Sequence, residues 1–174
     1  SDGTSFIRVQ SGMNLMELNL EIGRQFKRPQ MIWPPQPTET SATVGGILAS
    51  GAKGINACHY GDSRQYVQRI RMLCADGTIQ ELERGKADRE LDLILGGEGL
   101  TGVIIDAVLR LVPKPACVWG ISFFFETLGE TGTFVEQIKN YEKGQEAYIK
   151  AVEYIDRTAI DLIESKKPTM TKIR

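Results

Sequence analysis

Pro34-Pro-Gln-Pro-Thr-Glu-Thr-Ser-Ala-Thr-Val-Gly-Gly46, read together with Gly96-Gly-Glu-Gly-Leu-Thr-Gly102, decides how the rest of the chain is understood. A proline-rich turn runs into a Gly-Gly pair, and a second glycine-rich loop follows about fifty residues later. Prolines fix the approach of a loop, while glycine brings backbone close to a ligand and reaches positive φ. Two such loops in one short chain point to a large, flat, phosphorylated cofactor held mainly by main chain. A short helix over residues 42–50 would begin near Gly45-Gly46, where free N–H groups could face an anion.

The second loop contains Gly97-Glu-Gly-Leu-Thr-Gly102, which matches G-x-G-x-x-G. A dinucleotide fingerprint of that form needs a strand before it and a helix after it. Here Val103 to Val112 follows, rich in Val, Ile and Leu. Val103, Ile105, Ala107, Leu109 and Leu111 share one face by alternation. The order is loop then strand, which rejects a Rossmann site and leaves a glycine-rich turn between two elements.

Working outward, Phe6 to Gln10 reads as a strand. Asn14 caps a helix with Glu17 reaching back, and Leu15, Leu18, Ile22 and Phe26 line one face until Arg28-Pro29. Tyr66 to Cys74 alternates, with Ile70, Met72 and Cys74 on one face beside Gln68, and Arg69 and Arg71 on the other. Arg64 groups with these arginines as a solvated face or an ion-pair donor. Ala75-Asp76-Gly77-Thr78 predicts a type I′ hairpin turn, with Thr78 to Leu82 returning. Residues 85–90 read as a charged loop.

Pro113-Lys114-Pro115 marks a boundary. Beyond it the pattern predicts a strand over 118–125, an amphipathic helix through Phe134, Ile138 and Tyr141, and a strand over 148–154. A last helix is capped by Asp156, carries Ala159, Leu162 and Ile163, and stops at Lys166-Lys167-Pro168. This β-α-β-α run opens a ferredoxin-like unit.

The 174 residues carry 41% hydrophobic and 25% charged side chains with net charge −1, an ordinary globular balance that argues for neither nucleic acid nor an anionic membrane. No apolar run is long enough to span a bilayer. Cys58, Cys74 and Cys117 stand singly and His59 is the lone histidine, so this segment offers no zinc or iron–sulfur ligand set. Sparse cysteines fit a reducing compartment. His59 beside Cys58 has no orienting carboxylate in the sequence and reads as structural or cofactor-adjacent. Lys53 reads as solvated and Asp76 as a turn residue.

The ordered set Pro35-Gln-Pro37, Thr43-Val-Gly-Gly46, Ala49-Ser50-Gly51, Tyr60-Gly61, Ala75-Asp76-Gly77 and Gly97-Glu-Gly-Leu-Thr-Gly-Val103 resembles the FAD-linked oxidases of the vanillyl-alcohol oxidase, or p-cresol methylhydroxylase, type. Its branch resembles the glycolate oxidase flavoprotein subunit, D-lactate dehydrogenase and D-2-hydroxyglutarate dehydrogenase. Glu153-Tyr-Ile-Asp156, Ala159 and Leu162 resemble the start of that branch's cap domain.

The resemblance implies an α+β fold with a mainly antiparallel sheet and flanking helices. Residues 1–113 would be the second half of a PCMH-type FAD-binding domain, and residues 114–174 the beginning of a ferredoxin-like substrate cap. A first subdomain with the pyrophosphate loop would precede Phe6, and the substrate base would follow Arg174. Pro35, Gln36, Pro37, Thr43, Val44, Gly45 and Gly46 would run along the flavin and its pyrophosphate arm. Ala49, Ser50 and Gly51 would sit by the isoalloxazine, with Tyr60 and Gly61 along the same wall. Glu98, Gly102 and Val103 would complete the pocket, Val103 through its main chain.

The activity so implied is oxidation of a 2-hydroxy acid of the glycolate or D-lactate type by hydride transfer to flavin. Electrons would pass to a separate acceptor, an iron–sulfur subunit or a quinone. The setting would be cytoplasmic, or peripheral to the inner membrane through a partner. No residue here has a firm catalytic role, and the segment alone is expected to be inactive. The alternatives are a non-catalytic accessory chain forming part of an FAD wall, and a sister activity on the same fold such as an enolpyruvyl-sugar reductase.

Overall fold

The computed structural model describes residues 4–141 and 148–166. Five antiparallel strands form the sheet: β1 (Ser5–Gln10), β2 (Met31–Ile32), β3 (Val67–Leu73), β4 (Ile79–Glu83) and β5 (Val103–Pro113). The path runs β1-β5-β3-β4, with β2 also pairing β5. The last strand in sequence is thus the spine: Ile7 faces Leu109 on one side, and Val67 faces the same Leu109 on the other.

The helices are α1 (Leu15–Gln25), α2 (Val44–Ser50), α3 (Ala57–Tyr60), α4 (Asp88–Ile94), α5 (Leu128–Tyr141) and α6 (Arg157–Lys166), with a 3-10 turn at Ser63–Tyr66. The predicted capping box at the head of α1 forms: Glu17 N–H donates to Asn14 Oδ1 at 2.8 Å, and Asn14 N–H to Glu17 Oε2 at 3.1 Å. Leu15, Leu18 and Ile22 from α1, Val44, Ile47 and Leu48 from α2, and Leu91 and Ile94 from α4 are buried in one core with Ile7, Val9, Val67, Ile70, Ala107, Leu109 and Leu111 of the sheet. Phe26, the C-cap of α1, packs partly buried against that core.

Several expectations are corrected. The alternation of β3 breaks at a register shift between Val67 and Arg69, so Val67, Ile70 and Met72 are buried while Gln68 lies outside the core. A second shift at Arg71/Met72 turns Ile104 inward and leaves Val103 64% exposed, so Val103 and Ile105 do not join Ala107, Leu109 and Leu111. Bulges reset a period of two, which no local pattern announces. The turn between β3 and β4 is not type I′, since Gly77 (φ 82°) is its one positive-φ residue. Gly77 N–H instead donates to Cys74 O at 3.0 Å and Asp76 Oδ1 accepts from Thr78 N–H at 2.9 Å, the three-residue loop that ends in a left-handed glycine. The charged loop at 85–90 gives way at Asp88 to α4, whose Leu91 and Ile94 anchor it on the core.

Residues 118–125 and 148–154 form no strand. Phe123 and Phe125 instead pack on Phe134 of α5, at ring separations of 4.5 and 5.2 Å. Thr127 and Glu130 cap α5 reciprocally. Asp156 caps α6 as expected, accepting from Ala159 N–H at 2.7 Å. Lys167-Pro168 lies outside the described residues.

The proline-rich segment is tied to the body by close backbone approach. Trp33 is fully buried, Asn56 Nδ2 donates to Pro34 O at 2.9 Å, and Gly54 packs so tightly on Gln36 that a Cβ there would stand 2.4 Å from its carbonyl carbon. Gly54 also has φ 77°. The left-handed conformation and the collision together put Gly54→Ala at about 2–4 kcal/mol of lost stability. Gly23, inside α1 with nothing within 4 Å of its missing Cβ, predicts the reverse: Gly23→Ala gains about 0.5–1 kcal/mol. Denaturant titration of the two variants should show midpoints moving in opposite directions.

On the outer sheet face, Asp106 takes both guanidinium groups of its neighbouring strands. Arg8 reaches it with Nε at 3.3 Å and a terminal nitrogen at 3.1 Å, and Arg71 Nε at 2.6 Å. A cavity of about 270 Å³ lies beside this triad. Burial alone would raise the Asp106 pKa, but the hydrogen bonds and charges of Arg71 and Arg8 outweigh it and hold the carboxyl below its usual range. The triad therefore contributes fully above the ordinary carboxylate pKa and is lost as pH falls through the lower folded value. Thermal melts of the native protein should lose stability below about pH 4 more steeply than those of Asp106→Asn; parallel curves would contradict this account.

Candidate functional site

The two glycine-rich stretches meet. Helix α2 is short, starts on Thr43, whose hydroxyl accepts from Gly46 N–H at 3.2 Å, and ends at Gly51 in the left-handed region (φ 64°). The carbonyls of a helix's last turn lack partners within the helix. Here the second loop supplies them: Gly96 N–H donates to Leu48 O at 2.9 Å and Glu98 N–H to Ala49 O at 2.8 Å. A Cβ on Gly51 would stand 3.2 Å from Gly96 Cα, so glycine permits the contact. Glu98 itself has φ 53°, a conformation that costs a non-glycine residue on the order of 1 kcal/mol and marks the turn as held in place by its surroundings.

Tyr60 and Gly61 join this junction through the 3-10 turn. Tyr66 Oη donates to Tyr60 O at 2.8 Å, and Arg64, two residues before Tyr66, lays its guanidinium against Gly51 and Gly96. Arg64 thus lies in the 3-10 turn rather than on the strand, and of the two expectations for it the ion pair holds, Nε to Asp62 Oδ1 at 3.8 Å. Burial is the main cause that lifts the Tyr60 phenol above its usual range, followed by the 2.7 Å hydrogen bond shared with Tyr148 Oη. Tyr60 therefore stays protonated at neutral pH and is no base. His59 stacks on the Tyr148 ring at 3.5 Å and 14°, so the histidine has a packing role here.

The start of α2 differs from expectation. Its amides are not free for an anion: Val44 N–H donates to Met13 O and Gly45 N–H to Ser11 O, both at 2.8 Å, and Gly46 N–H is capped by Thr43. Gly45 serves a close approach of two backbones, since a Cβ would lie 2.6 Å from Ser11 Cβ. Val44 and Pro35 are buried. The Gln36 side chain pairs with Asn19 and donates to Trp33 O at 2.8 Å, leaving Pro37 and Gly54 beside it. Ser50 Oγ donates to Gly46 O at 2.8 Å within its own helix.

Gly102 and Val103 sit at the far end of the second loop, where Gly102 presses on Leu73 O and Met72. The structure therefore brings Ala49, Ser50, Gly51 and Glu98 to one junction, with Tyr60 and Gly61 tied to it only through the 3-10 turn. It keeps Gly102 and Val103 at the start of the central strand β5, and the proline segment on the Gly54 side. Sequence reasoning passed over Asn56, and read Arg64 without its contact to the two glycine turns. Asn56 is buried and its Oδ1 has no hydrogen-bond partner, as is also true of Trp33 Nε1, Ser63 Oγ and Arg64 Nε among the described residues. Among the described residues no cluster of His, Cys, Asp and Glu is arranged to hold a metal ion, and no helix is long and apolar enough to cross a membrane.

Residues 1–83 match the FAD binding domain family. The D-lactate dehydrogenase of Anaerostipes hadrus is 31% identical over 136 residues, covering 75% of this chain and 28% of that protein. Glycolate oxidase subunit GlcD of Bacillus subtilis strain 168 is 27% identical over 136 residues, again 75% of this chain and 28% of the relative. The chain thus spans under a third of the length of these curated relatives. Among solved structures, alkyldihydroxyacetonephosphate synthase superposes with a TM-score of 0.64 at 24% identity, over 79% of this chain and 25% of that one, a likeness of fold. The antiparallel sheet with its flanking helices is the fold of a PCMH-type FAD-binding domain. The chain belongs to the FAD-linked oxidase family of FAD-dependent oxidoreductases.

Proposed function

We propose that this chain forms part of an FAD-dependent dehydrogenase that oxidises a 2-hydroxy acid of the D-lactate or glycolate type and passes the electrons to a separate acceptor, an iron–sulfur subunit or a quinone. The observation that carries the reading is the junction of Gly51 with Gly96, where the two glycine-rich stretches that the family resemblance assigns to one cofactor pack backbone against backbone. The names of the similar proteins support the substrate class.

The residues fit the group. Ala49, Gly51 and Glu98 would form the wall of the ring site, and Tyr60 and Gly61 its continuation. Pro35, Gln36, Pro37, Thr43, Val44, Gly45 and Gly46 would hold the arm's direction as a framework, since the amides of Val44, Gly45 and Gly46 are already bonded within the chain. Gly102 and Val103 would close the far end through main chain, and Ser50 would flank the wall. When bound, FAD supplies the hydride acceptor. The chain's own residues orient it and exclude water; Tyr60, kept neutral, donates or accepts a hydrogen bond at Oη without changing charge. Residues 1–113 serve the FAD domain in this reading, and residues 114–174 begin a cap whose extended segments become strands when paired.

The test is an absorption spectrum of the purified full-length protein. Flavin bands that bleach on anaerobic addition of D-lactate or glycolate are expected. A colourless full-length protein would overturn the cofactor reading, and bleaching by a reduced nicotinamide alone would overturn the substrate class.

A further inference from the structure

The cavity on the outer sheet face, about 270 Å³, is lined by Arg8, Val9, Gln10, Arg71 and Asp106. Three neighbouring strands make its floor. Asp106 of the central β5 stands opposite Gln10 of β1 on one side and Arg71 of β3 on the other, and Arg8 shares the outer face of β1 with Gln10. Helices α1, α2 and α4 pack on the inner face. On the outer one, Arg8 and Arg71 keep 56% and 37% of their side chains exposed, so the cavity is open to solutes.

Charge is out of balance there. Asp106, itself buried, accepts from Nε and one terminal nitrogen of each arginine. Each guanidinium is thereby fixed by one edge, and its other terminal nitrogen, Nη1, has no hydrogen-bond partner among the described residues. A guanidinium carries five N–H donors and cannot shed its charge. Next on β3, Arg69 is matched by Glu81 at 2.9 Å, which is also the residue opposite Arg71. Glu83 is taken by Lys86. Three arginines thus face two carboxylates, and one positive charge is left over at the cavity. Two cations held on one carboxylate repel each other, and a second anion on their open side relieves that repulsion. Because Asp106 already orders both side chains, such an anion loses little to ordering them.

We propose that this cavity is a phosphate subsite, in which Arg8, Arg71 and Gln10 hold a phosphate ion or the phosphoryl group of a small soluble ester. The donors come from three residues on two strands that flank β5. A planar carboxylate offers them two oxygens, whereas a tetrahedral phosphate offers three to one side. Asp106 positions the two guanidinium groups and does not touch the anion. The site lies on the opposite face of the sheet from α2 and the Gly51–Gly96 junction, so it stands independently of the FAD reading.

The experiment uses the full-length protein as purified and follows Tm against added inorganic phosphate at constant ionic strength, with chloride as the balancing ion. Phosphate also stabilises proteins in general by exclusion from their surface, an effect that does not saturate and that all variants share. The wild type should show in addition a saturable rise. Arg8→Gln and Arg71→Gln should each shift its midpoint to on the order of fivefold or more higher phosphate. Arg24→Gln, which removes an equal charge from the exposed side of α1, should leave the midpoint unchanged. Should Arg71→Gln fail to fold, the more exposed Arg8 decides. Methyl phosphate acting like inorganic phosphate supports a phosphorylated solute as the ligand, and its failure to act supports the free ion. A rise that never saturates, or a midpoint that moves as far in Arg24→Gln as in Arg8→Gln, overturns the subsite. Loss of bound flavin in step with the Tm change would place the phosphate at the cofactor's own arm and also overturn it.

Discussion

The carbonyls at the end of α2 are the constraint on which the site depends. A helix of this length exposes its last carbonyls, and burial without partners would cost about 1–3 kcal/mol each. Ala49 finds its partner in the amide of Glu98, and Leu48 O accepts from both Gly51 and Gly96. The hydrogen bonds from Gly96 and Glu98 carry the chain from α4 across the end of α2 and deliver it to the start of β5. They need Gly51 to turn left-handed and to lie against Gly96. They also hold Glu98 in a backbone conformation it would not choose alone.

Glycine serves two different ends on the same helix. At the start, Gly45 lets α2 press on Ser11, and its amide is consumed in that contact. At the end, Gly51 and Gly96 let two turns and the Arg64 side chain pack on one another, and both amides are bonded to Leu48 O. Sequence shows these positions only as glycine, because which backbone each one meets is set by the fold. The anion site expected at the head of α2 is closed, its amides being bonded within the chain.

The sheet divides its labour in the same way. Its inner face buries the apolar residues of β1, β3 and β5 under three helices. Its outer face holds Asp106 between Arg8 and Arg71, a pair of charges drawn from strands 35 and 98 residues away in the chain. Because β5 is central, a single carboxylate on it can bind both neighbours. The same centrality ties β1 and β2 to the second half of the domain.

Much of this was legible in local chemistry. The Asn14–Glu17 box, the apolar face of α1, the glycine-terminated hairpin and the run of β5 follow from spacing and residue type, which act over a few residues. The order of the glycine motifs was enough to indicate the family and its cofactor. Tertiary structure decided the rest. Bulges at Val67 and Arg71 set which side chains of β3 and β5 face inward, and Leu91 and Ile94 turn a charged stretch into a helix by burial. The stretches at 118–125 and 148–154 form no strand; Phe123 and Phe125 pack on Phe134, and Tyr148 on His59 and Tyr60. Arg64 acquired its place because two turns that are 45 residues apart in sequence close over it. Sequence determines what each residue can donate, accept or bury; only the fold decides which of those capacities are already satisfied.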